Sequence, residues 1–325
     1  MAYAIAARTP GDRDVLHKIH LDVPSPRAGQ VLLKQTAVGV NFLDIYFRSG
    51  LYPWPVESDL VLGSEAAGVI EAVGPDVDGF KAGDRVAYTM PNNAYVSHRV
   101  IDAAQLVTLP DEVTDAQAAA SVLKGLTAYY LIHDSFTPKA GDTVLFHAAA
   151  GGVGLLAGQW LAEKGVTTIG TAGGPEKCAI AKTTGRYTHV IDYKSENFAE
   201  RVSEITGGEG VDAVYDSIAK DTYPGSLNCL KMFGTLVLFG QASGPADDFK
   251  IADLAAGSFR LTRPILYHFT QDKKWLNDAS RSLFEMIASG KISVAINQEL
   301  PLDQAQKAHE LLENRLTTGC TILLP

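Results

Sequence analysis

Residues 141–159 read GDTVLFHAAAGGVGLLAGQ, and the fold follows from how this stretch is parsed. The apolar run DTVLFH predicts a buried strand, the small residues Ala148–Gly154 a tight turn, and GLLAGQWLAEKG a helix opening directly behind it. The turn fits the spacing G-x-G-x-x-G with Ala149 in the first glycine position, then Gly151 and Gly154, with Ala150, Gly152 and Val153 between and beside them. A residue without Cβ at Gly151 lets the backbone approach a pyrophosphate, and Gly154 lets the helix pack closely on the strand. The helix N-terminus adds free N–H groups and the positive end of a dipole. Alone, such a triplet marks no more than a tight turn. Set between a strand and a helix at the head of an alternating domain, it reads as a dinucleotide-binding turn.

Outward from the turn, VTTIGTA, HVIDY, DAVYDS and GTLVLFG alternate with helix-length segments such as PEKCAIAKTTG and NFAERVSEITG. Apolar strands in turn with helices are the pattern of a parallel sheet covered on both faces. A doubly wound domain over 125–265 is the expectation. Upstream, QVLLKQTAVGV, AAGVIEAVG, DRVAYTM and AYVSHRVI are short, β-branched and broken by Gly, Pro and Asp, which predicts a mainly β domain over 1–124. A helix joins the two, starting at Thr114 with Gln117 three residues on, a capping-box spacing. Two amphipathic helices follow Pro264, and the terminal strand CTILLP returns to the β domain, so that 266–325 completes it. The late strand GTLVLFG is expected at an unprotected sheet edge that a second copy could cover, giving a homodimer.

In NAD enzymes an acid about 20 residues beyond the turn accepts hydrogen bonds from the adenosine ribose. Here the second strand ends Thr171-Ala172-Gly173-Gly174 with no acid, and Lys177 follows one helical turn later. A cation there suits a 2′-phosphate, so NADPH is the expected cofactor. The other reading makes Lys177 a solvated helix residue and Glu176 the ribose contact.

At 325 residues the chain suits about two domains. With 46% hydrophobic and 20% charged residues, it is an ordinary globular composition, which excludes disorder, collagen and coiled coil. A net charge of −9 offers a nucleic acid no broad basic surface. No stretch approaches the ~20 apolar residues of a membrane span, and the start MAYAIAARTPGDRD lacks a signal-peptide core, so a cytoplasmic protein is expected. Cys178, Cys229 and Cys320 show no C-x-x-C spacing and read as buried thiols.

Three motifs carry a resemblance. The segment 141–159, the G-x-E-x-x-G pattern at Gly63, Glu65 and Gly68, and the run NFLDIYFRSGLYP over 41–53 are together similar to the quinone oxidoreductase (zeta-crystallin-like) branch of the medium-chain dehydrogenase/reductase superfamily, over the whole length. The resemblance implies an α/β protein: a GroES-like, mainly β catalytic domain plus a doubly wound parallel-sheet (Rossmann) nucleotide-binding domain, with a cleft joining them. It places Asn41, Tyr46, Tyr52 and Arg263 near nicotinamide and substrate, with Thr127 beside the nicotinamide. It assigns Gly173, Lys177, Tyr193 and Arg315 to the 2′-phosphate, and Gln241, where some relatives have Asn, to the cofactor. Read from propensity alone, Arg315 is a helix C-terminal cation, Tyr52 a packed aromatic, and Asp44, Arg48 and Glu65 a buried polar network. His147 is expected to point into the fold. Zinc-dependent relatives use a Cys and a His where this chain has Asn41 and Ser64, so no zinc site is expected. The function implied is NADPH-dependent, metal-free reduction of quinones. Conjugated enals or enones are the near alternative, and a crystallin-like structural or RNA-binding role is the alternative of another class.

Overall fold

The computed structural model describes residues 2–325. In chain order it runs β1 (Tyr3–Ala7), β2 (Leu16–His20), β3 (Gln30–Gly39), α1 (Phe42–Ser49), β4 (Leu60–Val61), β5 (Glu65–Val73), β6 (Arg85–Thr89), β7 (His98–Asp102), β8 (Val107–Thr108) and α2 (Asp115–Tyr130). Alternation follows: β9 (Thr143–Phe146), α3 (Gly152–Glu163), β10 (Thr167–Ala172), α4 (Pro175–Thr183), β11 (His189–Asp192), α5 (Phe198–Ile205), β12 (Val211–Asp216), α6 (Tyr223–Asn228), β13 (Leu230–Leu238) and β14 (Arg260–Thr262). The chain closes with α7 (Leu266–Phe269), α8 (Lys273–Ala288), β15 (Ile296–Pro301), α9 (Ala305–Glu313) and β16 (Cys320–Leu324).

Two compact units result. One comprises the residues as far as Leu123 with Lys273–Ala288 and Ile296–Pro325; the other comprises Lys124–Asp272 and Ser289–Ala295. The first holds two sheets, β2-β1-β4 and a seven-stranded sheet in the order β15-β16-β3-β5-β6-β8 with β7 also on β3. The terminal strand lies antiparallel to β3, where its alternating apolar residues join a core that includes Val31, Leu33, Val86 and Leu323. The second unit is one sheet in the order β11-β10-β9-β12-β13-β14, with every pairing parallel. Its central residues Val144, Leu145, Val214 and Tyr215 are fully buried, as strands covered on both faces must be. At the head of α2 the Thr114 hydroxyl accepts from the Gln117 N–H at 3.2 Å, and the Gln117 side chain accepts from the Thr114 N–H at 3.0 Å.

Three expectations need correction. GTLVLFG belongs to β13, which is interior: β14 pairs with it through Thr235–Arg260, Leu236–Leu261 and Val237–Thr262 and is the true edge. A three-residue strand containing Arg and Thr carries no period that a sequence reading can detect, and short polar edges are a common defence against unwanted pairing. The expected boundary also shifts, because 266–272 and 289–295 belong with the nucleotide unit. Ser293 hydrogen-bonds the Gln159 side chain on α3, its N–H at 2.8 Å, which ties that return segment to the nucleotide unit. Finally, Cys229 and Cys320 are buried but Cys178 is only partly so. Among the described residues no helix is long and apolar enough to cross a membrane.

Candidate active site

In the nucleotide unit β9 delivers the chain into a turn built from backbone alone. Ala148 is left-handed at φ 56°, the Ala149 N–H donates to the Thr171 carbonyl at 2.9 Å, and the Gly151 N–H returns to the Ala148 carbonyl at 2.9 Å. Ala149 and Ala150 are buried. A Cβ on Gly154 would stand 2.5 Å from the Ala148 oxygen and 2.8 Å from the Ala149 Cα, so only glycine admits this approach of helix to turn. Because α3 starts at Gly152, helical geometry leaves the N–H groups of Gly152, Val153 and Gly154 without intrahelical acceptors. Three oriented donors at a dipole's positive end form a site for a phosphate anion.

The end of β10 carries the second half. Tyr193 lies against Gly173, where a Cβ would meet its hydroxyl at 2.5 Å. Lys177 sits in the first turn of α4, partly buried, and Glu176 beside it is exposed. An acid does lie close by: Asp192, from the end of β11, accepts the N–H groups of Gly174 at 2.8 Å and Lys194 at 3.0 Å. Those two backbone donors hold its carboxyl below the usual range. The sequence reading sought an acid on β10 and missed this one, whose only signal is its place at the end of HVIDY. One Asp192 oxygen already accepts from both backbone amides.

Gln241 and Arg263 stand at a small cavity of about 210 Å³ within the nucleotide unit, walled by Leu236, Leu238, Phe249 and Leu261. Thr127 is buried on α2 in this unit. Arg315 belongs to the other unit, where it is the left-handed residue ending α9 and its N–H returns to the Leu312 carbonyl at 3.1 Å. His147 is buried with both ring nitrogens engaged, by Thr171 at 2.9 Å and Ser226 at 3.0 Å. Burial lowers its pKa.

In the catalytic unit Asn41 is the N-cap of α1, and its N–H donates to the Asp44 carboxylate at 2.9 Å. The Asn41 amide donates to Glu65 at 3.0 Å, and Glu65 takes the Leu123 N–H at 2.7 Å with its other oxygen. Ser64 donates to Asp44 at 2.6 Å. Both positions where zinc-dependent relatives have ligands are therefore occupied by donors inside a carboxylate network. Among the described residues no three His, Cys, Asp or Glu side chains group to hold a metal. The face of α1 opposite this network carries Phe42 and Tyr46, with Tyr52 following; the Tyr46 and Tyr52 rings lie 5.4 Å apart. Both tyrosines are half-buried, an arrangement suited to a flat apolar ring. The network continues to Tyr95, His309, Arg48 and Glu313. Sequence reasoning named Asp44, Arg48 and Glu65 as such a network and missed Tyr95, His309 and Glu313, which no local pattern connects to them.

Comparison with known proteins gives a consistent set of relatives. The family described as an alcohol dehydrogenase GroES-like domain matches residues 27–135, and the one described as a zinc-binding dehydrogenase matches 152–282. A quinone oxidoreductase of Pseudomonas aeruginosa is 45% identical over 100% of both chains. The crystal structure of Escherichia coli quinone oxidoreductase complexed with NADPH is 42% identical, with a TM-score of 0.96, over 99% of this chain and 100% of that one. A 2-haloacrylate reductase of Burkholderia is 41% identical over 100% of this chain and 99% of its own.

Proposed function

This chain belongs to the quinone oxidoreductase family of the medium-chain dehydrogenase/reductase superfamily, and from that premise we propose that it passes reducing equivalents from NADPH to quinones without a metal ion. It is an oxidoreductase. The observation that carries the cofactor half is the turn at Gly151–Gly154, whose backbone donors and missing Cβ atoms fit a pyrophosphate. When bound, NADPH supplies a hydride at its nicotinamide. Gly152, Val153 and Gly154 hold the pyrophosphate, and Ala149, Ala150 and Gly151 shape the turn beneath it. Gly173, Lys177, Tyr193 and Arg315, as the resemblance assigns them, take the 2′-phosphate; Thr127 borders the nicotinamide, and Gln241 contacts the cofactor.

Asn41, Tyr46, Tyr52 and Arg263 serve the acceptor. An ordinary ketone builds an alkoxide on reduction, which a Lewis acid must stabilise. A quinone becomes an aromatic, comparatively acidic hydroquinone, so the protein needs to supply orientation and modest charge stabilisation, which Tyr46 and Arg263 provide. The donors at Asn41 and Ser64, already committed to carboxylates, support the metal-free reading. A homodimer belongs to the same proposal, and sedimentation at micromolar concentration tests it.

A second reading is favoured by the Burkholderia relative, whose name describes reduction of a conjugated acid. Reduction of a conjugated carbonyl needs a proton delivered to carbon, which makes Tyr46 or a water more important. The experiment is NADPH oxidation with 1,4-benzoquinone, a larger ortho-quinone, a conjugated enone, 2-chloroacrylate and a simple ketone, in wild type and Tyr46→Phe. Quinones well above the ketone support the proposal, and ketone turnover equal to quinone turnover overthrows it. Enone or haloacrylate turnover well above quinone, with a large Tyr46→Phe loss, establishes the second reading. Stoichiometric zinc in the purified protein removes the metal-free element.

A further inference from the structure

The buried side of α1 contains a chain of four groups whose hydrogen bonds can point only one way. Arg48, 1% exposed, donates from Nε to the Gly11 carbonyl at 3.2 Å and to Glu313 from both Nη atoms, at 2.9 and 2.5 Å. Its Nη1 also faces His309 Nδ1 at 3.1 Å. A guanidinium has no acceptor, so Nδ1 must accept and the ring proton must sit on Nε2. That Nε2–H meets the Tyr95 hydroxyl at 3.0 Å. Tyr95 has one proton, and with its oxygen accepting from His309 that proton goes to the Asp44 carboxylate, 3.1 Å away. The reverse assignment would set a His309 N–H against an Arg48 N–H and take the Tyr95 proton from Asp44. His309 and Tyr95 are both fully buried, and burial with the neighbouring Arg48 charge brings the His309 pKa down to about 3, so the ring is neutral across the working range.

We propose that His309 and Tyr95 are positioning residues of the active site: a polarised chain from Arg48 through His309 and Tyr95 to Asp44 fixes the first turn of α1, and with it Asn41 and Tyr46. Asp44 is the hinge of the argument. Its carboxylate collects Tyr95, Ser64 and the Asn41 N–H, so its orientation sets the start of the helix. Asn41 in turn reaches Glu65, and Tyr46 stands two residues beyond Asp44. His309 and Glu313 lie on and at the end of α9, so a C-terminal helix holds Asn41 and Tyr46, which come from the first fifty residues. The kinetic consequence rests on the quinone reductase reading; the direction of the chain does not.

Two measurements test it. Long-range proton–nitrogen NMR on protein labelled at its 8 histidines reads the tautomer, with the His309 signal assigned by its loss in His309→Gln. A neutral ring carrying its proton on Nε2 from pH 8 to pH 5 is expected; a proton on Nδ1, or an imidazolium at neutral pH, overturns the chain. Tyr95→Phe removes the hydroxyl and keeps the ring. Displacement of groups around a bound acceptor reduces turnover steeply, so kcat should fall roughly 10- to 100-fold while the NADPH Kd stays within about twofold. A Tyr95→Phe enzyme that melts lower yet keeps wild-type kcat reduces the network to a structural one and ends the proposal. If the wild type turns over no quinone while the Nε2 tautomer stands, it is the functional reading that has failed, and the same variant is then scored on whichever acceptor the wild type reduces.

Discussion

The two halves of the proposed site are built in opposite ways. The phosphate turn, Ala148–Gly154, contains no charged or hydroxyl side chain; its shape comes from backbone hydrogen bonds and absent Cβ atoms. The acceptor side hangs on buried side chains, Glu65, Asn41, Asp44, Tyr95, His309 and Arg48, joined to Glu313 across a separation of 265 residues. A backbone site needs only that nothing bulky intrude. A side-chain network of this kind stands or falls with each partner, because a buried charge that loses its partner keeps its desolvation penalty.

The sharpest way to break the comparison is therefore Arg48→Met. Removing one partner of a buried pair costs 3–5 kcal/mol, and since the Glu313 side chain is 32% exposed and can recover some hydration, about 3 kcal/mol is expected here. Urea unfolding measures it, and the folded fraction should bind NADPH with unchanged affinity. A loss below about 1 kcal/mol, within the range of ordinary surface pairs, would show that the network is not what holds the unit.

Two smaller effects test the other side. A charge-assisted hydrogen bond to phosphate contributes roughly 1.5–3 kcal/mol, so Lys177→Ala should weaken NADPH by about 10- to 150-fold and leave NADH nearly unchanged. Equal loss for both cofactors would remove Lys177 from the 2′-phosphate. Gly154→Ala places a methyl 2.5 Å from the Ala148 oxygen. Overpacking of that kind costs roughly 1–3 kcal/mol, here felt as loss of affinity for NADPH and NADH alike, because both share the pyrophosphate. Titration calorimetry separates the two patterns; a Gly154→Ala variant that discriminates between the cofactors contradicts the backbone account.

The same contrast explains what the sequence disclosed. Strand, small-residue turn and helix are contiguous, so their order was readable, as were the Thr114–Gln117 cap and the return of CTILLP to the β domain, each set by local chemistry or a simple period. Residues 260–262 were not recognised as the edge strand, since three residues hold no pattern. His309 on an amphipathic helix looks like any core-facing residue, and nothing nearby in sequence says that Arg48 and Tyr95 meet it. Asp192 escaped for a related reason: the acid was sought on one strand and the fold supplies it from the next. The resemblance proposes Asn41 and Tyr46 for the acceptor side, whereas only the folded structure reveals the network that anchors α1.

The smallest effect is one of pH, and it separates a charged network from a backbone turn without any mutation at the turn. His309 is held near pKa 3 in the folded protein against an ordinary value of 6.5. Between those values the unfolded chain binds a proton that the native ring refuses, so stability rises with pH across the window. The contribution is complete above 6.5 and is lost progressively as pH falls toward 3. Well below 6.5, each further pH unit down toward 3 removes roughly 1 kcal/mol. His147, lowered by its own burial, acts in the same direction and belongs to the other unit. His309→Gln removes the titrating ring, so its unfolding free energy should fall by roughly 1 kcal/mol less than that of wild type between pH 6.5 and 5.5. The residual slope that His309→Gln retains belongs to His147, to His133, which burial lowers likewise, and to the carboxylates. Parallel stability curves for wild type and His309→Gln over this interval would mean that His309 is protonated in the native state at little cost, and the neutral, one-way chain through Tyr95 would lose its basis.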